Sequence, residues 1–253
     1  MRRGTREQWP DWFGKLVSYW HRNHSVVITL NYDTLIERCV VGQYLFTNGE
    51  VAEGRWFWSW LYPVPLTPVA PIMGDQGVAG DPETVQLFKL HGSVNWFYSG
   101  TTSFSGEPVY CLPVDVWKDD SSQRNKGLDA AVSGKTPLVI PPLTEKTQYF
   151  QNQIVRRIWQ RAGNEPLMAQ RVFILGYSLP ETDLTFRFFL SQTMRILQDA
   201  ELATTQYWVA DLNKEVVARL RSAIPTDLKI STKYAGVASP IPSLANAIVS
   251  QAL

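Results

Sequence analysis

The chain has 253 residues, of which 45% are hydrophobic and 19% charged, a composition typical of a globular protein. Its formal net charge of +1 gives no electrostatic reason to expect nucleic acid or an anionic membrane surface as a partner. The two cysteines are too few for a zinc knuckle or a secreted disulfide scaffold, and no apolar run reaches the ~18 residues that a membrane span needs. These features predict a cytoplasmic protein.

The first predicted strand ends in a cluster of polar residues. Apolar residues at helical spacing occupy residues 9–20, and the β-branched run 25–30 follows as a buried strand. Asn31 and Asp33 come at the carboxyl end of this strand, and Asp33 is placed to cap the helix predicted over 33–40. Ligands bind at this edge in open α/β sheets. The open alternative is that these residues only cap the helix.

Two segments interrupt the regular pattern. Residues 41–84 and 99–136 are rich in turn-forming and polar residues, and we predict them as insertion or small-lobe segments. The aromatic run 56–62 lies in the first of them. We predict that it packs in the interior, with a binding or assembly surface as the open alternative.

Between the two insertions lies a second strand that also ends in a polar group. The apolar run 85–90 leads directly into His91, and Gly92 lets the backbone approach its neighbours closely there. The usual role of a lone histidine at a strand end is structural, so a catalytic role needs other groups at the same edge.

The second half of the chain alternates helices with strands. We predict helices over residues 150–162, 184–197, 214–222 and 241–253, with Asp183 opening the second of them. We predict strands over residues 172–175, 207–210 and 228–232. The first of these strands ends at Gly176-Tyr177-Ser178, where backbone amides can face an anion. The next ends at Asp211, which can accept hydrogen bonds from ribose hydroxyls or cap the following helix.

This alternation predicts an α/β fold. We expect a Rossmann-like, doubly wound parallel sheet with helices on both faces and a smaller insertion lobe, within a single domain of residues 1–253. The polar groups at the strand ends would then meet at one edge and form a nucleotide crevice.

Four short motifs occur in an order that resembles the sirtuin-like (silent information regulator-like) family. They are Leu30-Asn31-Tyr32-Asp33, Leu90-His91-Gly92, Gly176-Tyr177-Ser178-Leu179 and the late strand that ends in Asp211. The segments 138–146 (LVIPPLTEK) and 176–183 (GYSLPETD) resemble the bacterial branch found in NAD-consuming defence proteins. The resemblance covers the chain from about residue 25 to residue 222.

The resemblance implies that the chain binds NAD between a Rossmann-like lobe and a smaller lobe and cleaves the nicotinamide–ribose bond. Asn31 would position water or the ribose, and Asp33 would contact the nicotinamide carboxamide. His91 would act as general base or as a partner of the ribose hydroxyls, since an imidazole pKa near ~6.5 suits proton transfer. The implied cofactor contacts are Thr29, Tyr32, Gly176, Tyr177, Ser178, Asp211 and Asn213.

The chain departs from the family pattern in two respects. A GAGxS-type phosphate loop is not found before the first strand, where Gly4 and Gly14 are isolated. The zinc-binding cysteines of sirtuin deacylases are absent, so we expect no zinc, and a protein deacylase ranks lowest.

Two functional hypotheses follow. The first is an NAD hydrolase, with a role in anti-phage defence, and the second is a truncated or degenerate non-catalytic module that acts in assembly or sensing. The expected partners are NAD or a related nucleotide, together with a second copy of the chain or an effector or sensor domain.

Overall fold

The computed structural model describes residues 9–40, 61–64, 66–68, 84–100, 107–112, 132–141, 148–177, 179–199, 205–223, 229–251 and 253. The chain divides into two compact units. The first comprises Met1–Pro141 and Thr147–Trp159, and the second comprises Pro142–Lys146 and Gln160–Leu253. Among the described residues, each helix is too short or too polar to cross a membrane.

The described part of the first unit begins with a helix and continues through strands. These elements are α1 (Asp11–Arg22), β1 (Val26–Thr29), β2 (Thr67–Pro68), β3 (Gln86–Lys89), β4 (Gly92–Tyr98), β5 (Tyr110–Cys111) and β6 (Thr136–Val139). Strands β1 and β3 form a parallel pair, whereas β2, β5, β4 and β6 form a mixed sheet in that order. Residues 35–40 are helical, as the sequence predicts.

Strand β4 is not predicted by the sequence pattern. It contains Ser93 and Asn95, and asparagine is depleted in strands. Both side chains are fully buried, and Ser93 Oγ donates to Asn95 Oδ1 at 2.6 Å. The amide of Asn95 donates in turn to the carbonyl of Leu112 at 2.9 Å. The local bond from Ser93 and the longer-range bond to Leu112 provide hydrogen-bond partners for these buried polar groups, so the tertiary structure overrides the local preference.

The predicted insertion segments contribute to this mixed sheet. Their described residues include β2 and β5, which pair in parallel with each other, while β5 pairs antiparallel with β4. Tyr62, at the end of the aromatic run, is fully buried. Residues 56–60 of that run lie outside the described residues.

The second unit alternates helices with parallel strands. Helix α2 (Gln153–Met168) begins in the first unit and ends in the second, and the elements after it are β7 (Arg171–Leu175), α3 (Leu184–Asp199), β8 (Gln206–Asp211), α4 (Glu215–Ala223), β9 (Ile230–Ala235) and α5 (Pro240–Val249). The three strands form a parallel sheet in the order β7, β8, β9. The predicted α/β class is therefore confirmed.

The core of the second unit lies where its helices cover the sheet. Buried side chains of β8 and α4 meet there with one residue before α3 and one within it. The six residues are Leu179, Leu190, Tyr207, Val209, Val216 and Leu220. Val216 and Leu220 are one helical turn apart on α4, which explains why that helix buries one face.

Helix α2 extends further than predicted. The apolar spacing predicts a helix over residues 150–162, but Tyr149–Gln151 form a 3₁₀ turn and α2 continues to Met168. Pro166 lies inside the last turn and cannot donate to the carbonyl four residues earlier, so the helix lacks that hydrogen bond near its end. Conversely, α5 ends at Val249, before the predicted end at residue 253.

Candidate functional site

Two of the predicted catalytic residues follow adjacent parallel strands at the same level. Thr29 of β1 lies opposite Lys89 of β3, so Asn31 and His91 each come two residues after this pair. The N–H of Leu90 donates to the carbonyl of Thr29 at 3.0 Å and extends the pairing. The expected edge of parallel strands is therefore present in the first unit, with Asn31 and His91 at neighbouring strand ends.

The imidazole of His91 is enclosed by aromatic rings. Its side chain is only 2% exposed, and its ring centroid lies 6.3 Å from that of Tyr32 and 6.2 Å from that of Trp159. The indole of Trp159 donates to the carbonyl of Leu90 at 2.8 Å, and the N–H of Ile140 donates to the His91 carbonyl at 2.8 Å. These contacts fix the ring and the backbone that carries it.

Tyr32, predicted to contact the cofactor, has several structural contacts. Its hydroxyl donates to the carbonyl of Ile140 at 3.1 Å. Its own carbonyl accepts from the N–H of Val94 at 3.0 Å, and the hydroxyl oxygen of Ser93 lies 3.2 Å from that carbonyl oxygen. Tyr32 therefore links the turn after β1 to β4 and to the residue after β6.

Asp33 caps the helix that follows it, as its position predicts. Its Oδ1 accepts from the N–H of Leu35, the first residue of the helical segment 35–40, at 3.0 Å. Just before it, the N–H of Asn31 donates to Thr29 Oγ1 at 3.1 Å. The side chains of Asn31 and Asp33 are both exposed, so they are accessible to a ligand.

A small pocket lies beside this turn. It has a volume of about 110 Å³, whereas pockets that enclose drug-sized ligands have about 300–1,000 Å³. The pocket is lined by Phe13, Thr29, Asn31, Asp33, Leu35, Ile36, Glu37, Leu87 and Lys89. It therefore suits a small ring or carboxamide group rather than a whole dinucleotide.

One group of site residues is not predicted from the sequence. Lys89 Nζ lies 2.9 Å from Glu37 Oε1, and both side chains are 1% exposed. Lys89 also donates to the backbone carbonyl of Asp33, and the hydroxyl of Tyr62 donates to Glu37 Oε1 at 2.8 Å. The sequence did contain one signal for this group, namely Lys89 at the end of an otherwise apolar run. A charged side chain buried in a strand needs an oppositely charged partner.

Burial and the charge of Glu37 both act on neighbouring groups. Burial, followed by the negative charge of Glu37, raises the pKa of the Tyr62 hydroxyl well above its ordinary value. Burial and the same charge raise the pKa of the Cys111 thiol. Both groups are therefore protonated at neutral pH, and Cys111 is not a thiolate nucleophile.

In the second unit, glycines follow the two strands that flank β8. Gly176 follows β7 with φ of 62°, and its N–H donates to the carbonyl of Ala210 at 2.8 Å. Gly236 follows β9 with φ of 69°, and its N–H donates to the carbonyl of Asp211 at 2.7 Å. The Gly176 amide, predicted to face an anion, is therefore engaged within the sheet, and Gly236 is a neighbour of Asp211 that the sequence did not predict.

Asp211 and Asn213 organise the turn into α4. Asp211 is 8% exposed, and its Oδ1 accepts from the N–H of Asn213 at 2.8 Å. Asn213 Oδ1 accepts from the N–H of Glu215 at 2.9 Å. Asn213 therefore caps α4, and Asp211 holds Asn213 in place through its backbone N–H.

Tyr177 is tied to the helix that follows it. Its hydroxyl donates to Asp183 Oδ2 at 3.4 Å, and its ring lies edge-on to Phe186 with centroids 5.0 Å apart. Burial, followed by the charge of Asp183, raises the pKa of Tyr177 well above its ordinary value. Asp183 Oδ1 accepts from the N–H of Phe186 and so begins α3, as predicted. Ser178 lies outside the described residues.

The fold and these strand ends define an α/β protein with a candidate ligand site at the β1–β3 edge. Comparison with protein-family models, with curated proteins and with solved structures finds no match. Within the described ranges, no group of three or more His, Cys, Asp and Glu side chains is arranged to hold a metal ion.

Proposed function

We propose that this chain is a sirtuin-like domain that binds NAD and cleaves its nicotinamide–ribose bond. The observation that carries the proposal is the placement of Asn31 and His91, each two residues beyond the Thr29–Lys89 pair of adjacent parallel strands. A Rossmann-like, doubly wound sheet is the architecture proposed with this function, and the parallel pairing within each unit supports it.

The proposed reaction is hydrolysis at the anomeric carbon of the nicotinamide ribose. The bond from this carbon to the nicotinamide nitrogen breaks, and the ribose becomes oxocarbenium-like, a charge that nearby oxygens stabilise. The exposed amide of Asn31 orients the attacking water or the ribose, and His91 accepts the proton that the water loses. Asp33, beside the small pocket, contacts the carboxamide of the leaving nicotinamide.

In the first unit, the remaining proposed NAD contacts are Thr29 and Tyr32. The second unit, taken by itself, has proposed nucleotide contacts at its own strand ends: Gly176, Tyr177, Ser178, Asp211 and Asn213. Asp211 is the strongest of these, because a carboxylate at the end of a parallel strand suits the hydroxyls of the adenosine ribose. Asp211→Asn therefore tests nucleotide binding by the second unit.

The test is nicotinamide release from NAD by the purified chain and by two variants. Asn31→Ala removes an exposed amide, and we expect the rate to fall by ~10²-fold or more. His91→Phe keeps an aromatic ring beside Tyr32 and removes the proton acceptor, so we also expect a fall of ~10²-fold or more. Asn164→Ala, at an exposed position of α2, is the matched control and should retain the wild-type rate.

A further variant separates the two roles of Asp33. Asp33→Asn keeps a side-chain oxygen for the N–H of Leu35, so the helix cap should survive. A large loss of activity with unchanged stability would assign the carboxylate to the reaction. If the wild-type chain releases no nicotinamide at high protein concentration, the proposal fails.

The second candidate is a non-catalytic sirtuin-like module acting in assembly or sensing. It is favoured by the enclosure of His91, which is 2% exposed, and by the small volume of the pocket, about 110 Å³. Calorimetric titration distinguishes the two candidates. Binding of NAD with micromolar affinity together with nicotinamide release supports the hydrolase, whereas absence of both supports the module.

A further inference from the structure

A buried ion pair lies behind the turn that carries Asn31. The ammonium of Lys89 contacts the carboxylate of Glu37 at 2.9 Å, and it also donates to the backbone carbonyl of Asp33. Tyr62 donates to the same carboxylate oxygen of Glu37 at 2.8 Å. We call these three side chains, Lys89, Glu37 and Tyr62, the buried network.

The buried network joins parts of the chain that are far apart in sequence. Lys89 is on β3, opposite Thr29 of β1, and its side chain reaches the turn after β1 and the helical segment 35–40. The turn also has local hydrogen bonds, from the N–H of Asn31 to Thr29 and from the N–H of Leu35 to Asp33. Tyr32 adds long-range ones, because its hydroxyl donates to Ile140 and its carbonyl accepts from Val94. Lys89 is the side chain of β3 that reaches the Asp33 carbonyl. Lys89 therefore ties the turn to the neighbouring strand.

A gain in folding stability does not account well for a buried Lys89–Glu37 ion pair. Removing two charges from water is costly, and replacing a whole buried ion pair with apolar groups of similar volume is often neutral or stabilising. An ammonium that donates to a backbone carbonyl does, however, fix the position of that backbone. The consequence of the buried network is therefore geometric: it sets where the turn lies relative to β3.

We propose that Lys89 is a positioning residue, which together with Glu37 holds the Asn31–Asp33 turn in the geometry that the reaction uses. The catalytic meaning of this inference rests on the proposed function, since Asn31 is the residue being positioned. Whether the buried network holds the turn in place can be measured without NAD.

The test replaces the whole buried network with apolar side chains of similar size. The variant Lys89→Met, Glu37→Leu and Tyr62→Phe leaves no buried charge unpaired, unlike a single substitution. Amide hydrogen exchange is followed in the peptide that covers residues 29–36, with the β8 peptide as an internal reference. Steady-state kinetics of nicotinamide release give kcat and KM for the same proteins.

A matched control is available in the same unit. Lys135 Nζ lies 3.5 Å from Glu107 Oε1, and the side chains are 18% and 6% exposed. Lys135→Met is therefore the same substitution at another ion-paired lysine, which directly precedes β6 and is far from the turn in sequence. It should leave exchange at residues 29–36 and kcat unchanged.

We expect the triple variant to fold, to exchange at residues 29–36 ~10-fold faster or more, and to exchange at β8 as the wild type does. We expect kcat to fall by ~10²-fold with KM little changed, because a small misplacement of a reacting group can cost that much. Wild-type exchange at the turn would overturn the inference, and so would unfolding of the triple variant, because the network would then stabilise the fold as a whole. Faster exchange at the turn in a protein that releases no nicotinamide would support the positioning and refute the proposed function.

Discussion

Replacing Gly92 with alanine tests the close backbone approach on which the His91 turn depends. Gly92 has φ of 76°, and a Cβ added there would lie 2.0 Å from the carbonyl oxygen of Leu138. The obstructing atom belongs to the backbone, so rotation of a side chain cannot relieve the clash. Strand β6 must therefore move away from Gly92, where Val139 is its partner in the sheet.

Two contributions give the magnitude. The left-handed conformation costs a non-glycine residue ~1–2 kcal/mol. Separating β6 from the start of β4 also weakens backbone hydrogen bonds there, including the one from Ile140 to the His91 carbonyl at 2.8 Å, at ~1 kcal/mol each. We expect Gly92→Ala to lower the free energy of unfolding by ~3 kcal/mol or more.

Gly134 provides a matched control. Its φ is 72°, almost the same as that of Gly92, but an added Cβ would have no atom within 4 Å. Gly134→Ala should therefore lose only the ~1–2 kcal/mol of backbone strain. Urea unfolding followed by circular dichroism measures both losses. Equal losses for the two variants would refute the reasoning, because the clash with Leu138 would then contribute nothing.

Two further predictions concern buried ionisable groups. Cys39 and Cys111 are buried free thiols; burial raises the pKa of Cys39 to about 12 and that of Cys111 well above its ordinary value. A disulfide reagent at mildly alkaline pH should therefore label both only after denaturation, and rapid labelling of the native chain would contradict this burial. Burial also raises the pKa of Tyr207 from 10.0 to about 12, so the folded state binds this proton more tightly than the unfolded state does. The stability that results is complete below pH 10.0 and is lost as the pH rises towards about 12. Tyr207→Phe should shrink the alkaline loss of stability, measured as the urea midpoint across that pH range; an unchanged pH dependence would assign the loss to other groups.

The sequence predicted the helix-capping hydrogen bonds, which join residues close together in the chain. Asp33 was predicted to begin the first helix after β1, and Asp183 was predicted to begin α3; both accept the expected backbone N–H. The cap of α4 was only partly predicted, because Asn213 makes it and Asp211 supports Asn213. Such bonds span two or three residues, so the chemistry that decides them is contained in a short stretch of sequence.

Strand ends were also predicted, but strand partners were not. The apolar runs predict β1, β3, β7 and β8 within one or two residues of their observed bounds. Nothing in those runs shows that Thr29 lies opposite Lys89, or that β4 exists as a strand in a separate mixed sheet. Register depends on packing between segments that are about sixty residues apart, which no local pattern contains.

The sequence by itself determined the alternation of helices and strands and the polar residues at strand ends, including Asn31 and His91. Only the tertiary structure decided that these two residues follow adjacent strands at the same level, and that the turn carrying Asn31 is tied to Lys89. The physical reason lies in the range of the interactions. Periodicity and helix capping act over a few residues, whereas Glu37 and Lys89 are 52 residues apart and are paired only because folding removes both charges from water.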